Sequence, residues 1–120
     1  MRPVSRPGRN LMKNTVNLFD LRPRRNRPWE LTTEDLAVVL VPRFERGPLA
    51  RWLMPRLARP QIRVKLDSFG TFVWRQCDGE TTVAEISDRL QRQFGASAEP
   101  VDERLAVFIK RLKRENLLSL

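Results

Sequence analysis

Gln61-Ile62-Arg63-Val64-Lys65-Leu66-Asp67-Ser68-Phe69-Gly70-Thr71-Phe72-Val73-Trp74 holds the point at which the hydrophobic period of this chain changes. Ile62, Val64 and Leu66 alternate with Arg63 and Lys65, the period of two that marks a half-exposed strand. From Phe69 onward the apolar residues Phe69, Phe72, Val73 and Cys77 follow helical spacing. Asp67 or Ser68 can cap that helix, because a short polar side chain there accepts from a free N–H of the first turn. Gly70 is unusual inside a helix and indicates close packing against a neighbour. A strand therefore runs directly into a helix, and Asp78-Gly79 stops it.

Two more helices follow. Thr82 and Glu85 stand at capping-box spacing, each able to satisfy a backbone N–H of the other. Val83, Ile86, Leu90 and Phe94 form the apolar face of this second helix, and Gly95 closes it at a position suited to glycine. The third helix is predicted to start near Ser97 with Pro100 in its first turn, and carries Val101, Leu105, Phe108, Ile109 and Leu112 on one face. Its acids Glu99, Asp102 and Glu103 come first and its bases Lys110, Arg111, Lys113 and Arg114 last, which complements the helix dipole. Leu117, Leu118 and Leu120 either add a short final strand or dock on the core.

Upstream of the opening stretch, Trp29–Thr33 reads as a short strand and Thr33-Glu34-Asp35 as a hairpin turn. Leu36–Val41 is a short apolar run rich in β-branched residues, read as a buried strand. In residues 43–60, Leu49, Trp52, Leu53 and Leu57 keep helical spacing while Pro55 breaks or kinks the segment. This region is expected to be a short helical insert between strands. Residues 1–28 hold four prolines and eight basic side chains, an extended arm that Leu18, Phe19 and Leu21 can pin to the core. The expected architecture is α+β: a short three-stranded antiparallel sheet followed by three helices, with the arm at 1–28 and one domain over 29–120.

Composition narrows the function. The 120 residues suit one domain. Cys77 is the only cysteine, so an internal disulfide is impossible and a reducing, cytoplasmic setting is expected. No apolar run approaches the roughly 18 residues of a membrane span. There is no histidine and no tyrosine. The commonest general base and metal ligand is thus absent, and one cysteine without histidine cannot build the usual zinc site. The five glycines are scattered singly, so there is no phosphate-cradling loop. Cys77 lies on the apolar face with Phe69 and Val73 and reads as a small buried hydrophobe. A binding module without catalytic chemistry or cofactor is the expectation.

The net charge of +9 is unevenly placed. Residues 1–30 carry eight bases against two acids, whereas residues 61–120 are balanced to within one charge. A nucleic-acid binder usually concentrates charge on its recognition element. Here the second helix is neutral overall, with Glu85 and Asp88 against Arg89 and Arg92. Nucleic-acid binding through the basic arm is the alternative reading. A third is docking of the 49–57 segment on an anionic lipid surface.

The run Leu66-Asp67-Ser68-Phe69-Gly70-Thr71-Phe72-Val73-Trp74, followed by Cys77-Asp78-Gly79 and Thr82-Val83-Ala84-Glu85-Ile86, closely resembles the PqqD family. Phe94-Gly95, the helix through Phe108 and Leu112, and the upstream Trp29-Glu30 and Val38–Pro42 fit as well, so the resemblance covers roughly residues 17–118. It implies a winged-helix-like fold and a recognition element for ribosomally made, modified peptides. Such an element binds a precursor's leader peptide and presents it to a modifying enzyme, often a radical SAM enzyme, in quinone synthesis or another peptide pathway. The leader adds as a strand beside the third strand, in the groove before the third helix. Carried over by position, those elements are Gln61–Leu66 and Val101–Leu112. The implied peptide-binding residues are Ile62, Arg63, Val64, Lys65, Leu66, Arg104, Leu105, Phe108 and Leu112. Read from the residues alone, Arg63 and Lys65 are also a solvated strand edge that discourages aggregation. Arg104 is either a partner for an acidic leader residue or a solvated helix face. Leu105, Phe108 and Leu112 are core positions of which one or two can double as rim contacts. An exposed strand edge can also pair with itself in a homodimer.

Overall fold

In the computed structural model, which describes residues 17–42 and 61–120, the chain forms two small antiparallel sheets and three α-helices. The expected insert at 43–60 lies outside the described residues. Strand β1 is Arg24–Arg25, β2 is Trp29–Leu31, β3 is Ala37–Pro42 and β4 is Gln61–Lys65. Helices α1 (Ser68–Gln76), α2 (Val83–Phe94) and α3 (Val101–Arg114) follow, and β5 (Leu118–Ser119) closes the chain. The main sheet has the order β2-β3-β4, with Trp29 opposite Val39 and Val39 opposite Val64. This is the expected α+β arrangement of a three-stranded antiparallel sheet followed by three helices.

The β2–β3 turn is held by Thr32. Its hydroxyl accepts from the N–H groups of Glu34 and Leu36, both at 3.2 Å, and its C=O accepts from Asp35 N–H at 3.0 Å. Asp35 takes φ = 63°, a conformation that aspartate tolerates better than most residues.

Asp67 is the cap of α1, accepting from Gly70 N–H at 2.7 Å. The capping box of α2 is complete: Thr82 Oγ1 accepts from Glu85 N–H at 3.1 Å, and Glu85 accepts from Thr82 N–H at 2.8 Å. Helix α3 begins later than its spacing predicts. Gly95–Ala98 forms a 3-10 turn, and Glu99 is extended. The residue before a proline is pushed out of the helical region, which keeps Glu99 out of the helix, and Pro100 is itself extended as the N-cap. Val101 is its first residue.

The second half of the predicted arm is built into the fold. Leu21 C=O accepts from Val83 N–H at 3.0 Å, satisfying one of the free donors at the start of α2. Pro23 is fully buried, and its C=O accepts from Gly79 N–H. β1 pairs with β5, Arg24 opposite Ser119 and Arg25 opposite Leu118. The Arg25 guanidinium donates to the C=O groups of Trp74 and Arg75, both at 3.0 Å, and so places a positive charge at the C-terminal end of α1. Leu118 therefore enters a short strand and the core together.

The core lies between the sheet and the helices. Trp74, Ile86, Leu90, Leu105, Ile109 and Val39 are fully buried. Trp29 packs edge-on against Trp74, with ring centroids 6.5 Å apart. Cys77 is buried and its thiol donates to Val73 C=O at 3.2 Å. Burial pushes its pKa up to about 12, against the opposing pull of the Arg25 charge.

Candidate binding groove

Among the described residues β4 is an edge strand, and its register fixes which backbone groups it exposes. Leu66 N–H donates to Ala37 C=O at 2.8 Å, so Ala37 and Leu66 occupy a hydrogen-bonded position of the ladder. Such positions alternate in antiparallel pairs, which makes Val39–Val64 and Val41–Ile62 the next two. The N–H and C=O groups of Arg63 and Lys65 therefore point away from β3, out of the sheet. Among the described residues no strand pairs with them.

The side chains of β4 divide between two faces. Val64 lies opposite buried Val39 and turns toward the helices. Arg63 and Lys65 take the other face. Arg63 Nη2 stands 2.8 Å from Glu30 Oε2 and Lys65 Nζ stands 3.7 Å from Glu34 Oε1. All four side chains are at least half exposed.

Beside this edge runs a groove of about 630 Å³ between β4 and α3. Val64, Lys65 and Leu66 form one wall, and Arg104, Val107, Phe108, Arg111 and Leu112 form the other. Phe69, in the first turn of α1, closes the end and meets Phe108 edge-to-face at 6.2 Å. The Arg104 guanidinium lies 4.3 Å from the Phe69 ring centroid and donates to Ser97 C=O at 3.0 Å. It is thus oriented by a ring and a carbonyl, and among the described residues no carboxylate forms an ion pair with it. Arg111 pairs with Glu115 one turn on, at 3.2 Å. Gly70 allows the approach of α1 to α3. A Cβ there would stand 3.1 Å from Phe108 Cζ and 3.3 Å from Leu66 Cβ. The close packing expected at this glycine is found, and the neighbour is Phe108.

Six of the nine residues carried over from the family resemblance border the groove: Val64, Lys65, Leu66, Arg104, Phe108 and Leu112, Lys65 with its side chain on the outer face of the sheet. Three do not line it. Leu105 is fully buried, on the side of α3 turned to the core. Ile62 lies near the far end of β4, 43% exposed. The Arg63 side chain belongs to the opposite face of the sheet, although its backbone belongs to the open edge. Several lining residues were not picked out from the sequence, notably Val107, Phe69 and Arg111. Val107 had a readable signal. It is an apolar residue off the core stripe of its helix, and it is 69% exposed.

The site offers backbone hydrogen bonds beside an apolar trough whose lining also carries three bases, Lys65, Arg104 and Arg111, and three acids, Asp67, Glu103 and Glu115. Among the described residues no group of three or more His, Cys, Asp or Glu side chains is placed to hold a metal ion, and no helix is long and apolar enough to cross a membrane.

An α+β domain whose edge strand borders an apolar groove against its last helix is the class of protein defined by this geometry. The chain belongs to the PqqD family, described as coenzyme PQQ synthesis protein D, which matches residues 58–118, just over half of its length. The match takes in β4, all three α-helices and the start of β5. It is narrower than the sequence resemblance, because β1 to β3 precede it. No curated protein and no solved structure matches the chain.

Proposed function

We propose that this protein is a non-catalytic peptide-binding chaperone that captures the leader of a precursor peptide as an added strand along β4 and presents it to a modifying enzyme, a radical SAM protein being the expected partner class. Membership of the PqqD family supports a role in PQQ synthesis or a related peptide-modifying pathway. The observation that carries the reading is the open β4 edge, with the N–H and C=O groups of Arg63 and Lys65 directed away from β3, beside the trough of Phe69, Val107, Phe108 and Leu112. Strand addition draws its affinity from such backbone groups and its specificity from adjoining side-chain pockets. Each backbone hydrogen bond contributes about 0.5–1.5 kcal/mol net, so the edge needs the apolar trough to reach useful affinity.

The test is calorimetric titration of the chain with precursor peptides encoded beside its gene, followed by co-purification with the adjacent modifying enzyme. Saturable binding, lost when the peptide backbone is N-methylated at alternate positions, is the expected result. Failure of the folded chain to bind any of these peptides would refute the proposal.

A further inference from the structure

The two faces of β4 carry different chemistry, and a strand added to it must carry the complement. We infer that the peptide recognised by this chain alternates acidic and apolar residues, with the acids on the Arg63/Lys65 face and the apolar residues in the groove. This inference rests on capture by the β4 edge and adds the chemistry of the captured segment.

The register of β4 dictates this alternation. A strand hydrogen-bonded to the outward groups of Arg63 and Lys65 has residues beside those two positions, and laterally adjacent residues share a face. Those ligand residues therefore lie on the outer face, next to a guanidinium and an ammonium. The ligand residue between them turns to the other face, beside Val64, and meets Phe108, Leu112 and Val107. The alternation is the same whether the ligand runs parallel or antiparallel to β4.

The charges on the outer face are available to a ligand. Glu30 and Glu34 pair with them, but the Arg63 and Lys65 side chains are each 58% exposed. Exposed pairs of this kind exchange partners at little cost. The same two bases disfavour a second copy of the chain as the occupant. Pairing two β4 edges sets Arg63 and Lys65 of one copy against those of the other, and like charges directly opposite are destabilising. The net charge of +9 opposes self-association further. An acidic strand reverses both effects.

The experiment uses the full chain and three synthetic ten-residue peptides, followed by fluorescence anisotropy. The first alternates Asp with Leu, the second has the same composition with all acids in one half, and the third alternates Lys with Leu. Each charged cross-strand pair is expected to change affinity about threefold, so the alternating acidic peptide should bind about tenfold tighter than the segregated one. The double substitution Arg63→Glu with Lys65→Glu should move the preference to the lysine peptide, and both positions are exposed enough to keep the fold. Equal affinity for the alternating and segregated peptides, with binding still abolished by N-methylation, would overturn the charge pattern and leave strand addition standing. Binding insensitive to N-methylation, or no binding at all, would overturn both. A dimer in sedimentation that the acidic peptide does not dissociate would identify a second copy as the occupant and overturn the inference.

Discussion

Replacing Thr71 by valine removes one oxygen from the joint between the sheet and α1. The Thr71 hydroxyl accepts from Ala37 N–H at 2.8 Å and lies 3.5 Å from Leu66 C=O, to which it donates. Ala37 and Leu66 are the last rung of the β3–β4 ladder, where Leu66 N–H reaches Ala37 C=O and the return bond is taken by the hydroxyl instead. Valine has the same branched shape but no acceptor. Ala37 is fully buried and Thr71 is 6% exposed, so water cannot replace the lost partner. An orphaned buried donor costs about 1–3 kcal/mol. At about 2 kcal/mol, a domain of this size should lose about 10 °C in Tm. Urea unfolding followed by circular dichroism gives the free energy directly, and the m-value should stay unchanged because the surface exposed on unfolding is the same. Thr71→Ser keeps the oxygen and should cost less than about 1 kcal/mol. A loss below about 0.5 kcal/mol for Thr71→Val would refute the reasoning. It would mean that Ala37 N–H closes directly onto Leu66 C=O and the hydroxyl is dispensable.

Phe108→Ala should weaken peptide capture about tenfold while costing about 2 kcal/mol of stability, because the ring is shared between the groove and the core edge. Leu105→Ala should cost about 2–5 kcal/mol and leave the affinity of the folded fraction unchanged, a contrast read by titration alongside urea unfolding. The Asp78 carboxyl is held below its ordinary value, first by the N–H groups of Glu80 and Thr81, and that of Glu85 first by the N–H of Thr82. Both groups therefore contribute stability that is complete above the ordinary carboxylate range near pH ~4 and is lost as pH falls below it toward the lowered folded values. Acid unfolding of Asp78→Asn and Glu85→Gln should accordingly show a flatter dependence over that window. Cys77, with its pKa near 12, should resist alkylation at pH 8, where about one thiol in ten thousand is ionised, and label only as fast as the chain opens.

The parts of this fold legible in the sequence are those decided within a few residues. Strand Gln61–Lys65 follows from a period-two alternation, and the Asp67 cap and the Thr82/Glu85 box from side chains that act on backbone groups three positions away. The start of α3 departs from its helical spacing even so, since Glu99 and Pro100 are both extended. Gly70 pointed to a close neighbour without saying which one. Phe108, distant in the chain, supplies the answer only when α1 and α3 are packed.

Leu105, Phe108 and Leu112 carry the clearest division between local and tertiary information. Helical spacing places all three on one stripe, and a stripe more than 100° wide can touch two things at once. Position along the chain does not say which edge of the stripe meets the core. The location of β4 and α1 sends Leu105 inward, leaves Phe108 half-buried on the groove, and puts Leu112 in the core where it also borders the groove. Arg63 and Lys65 were readable as outward bases from their alternation with Ile62, Val64 and Leu66. Their separation into backbone groups on the open edge and charges on the far face required the register with β3. The pairing of Arg24–Arg25 with Leu118–Ser119 joins the two ends of the described fold, and no periodicity reports a contact of that range. Local backbone chemistry thus named the elements. Long-range packing, which depends on the position of every other element at once, decided which of their surfaces form the groove.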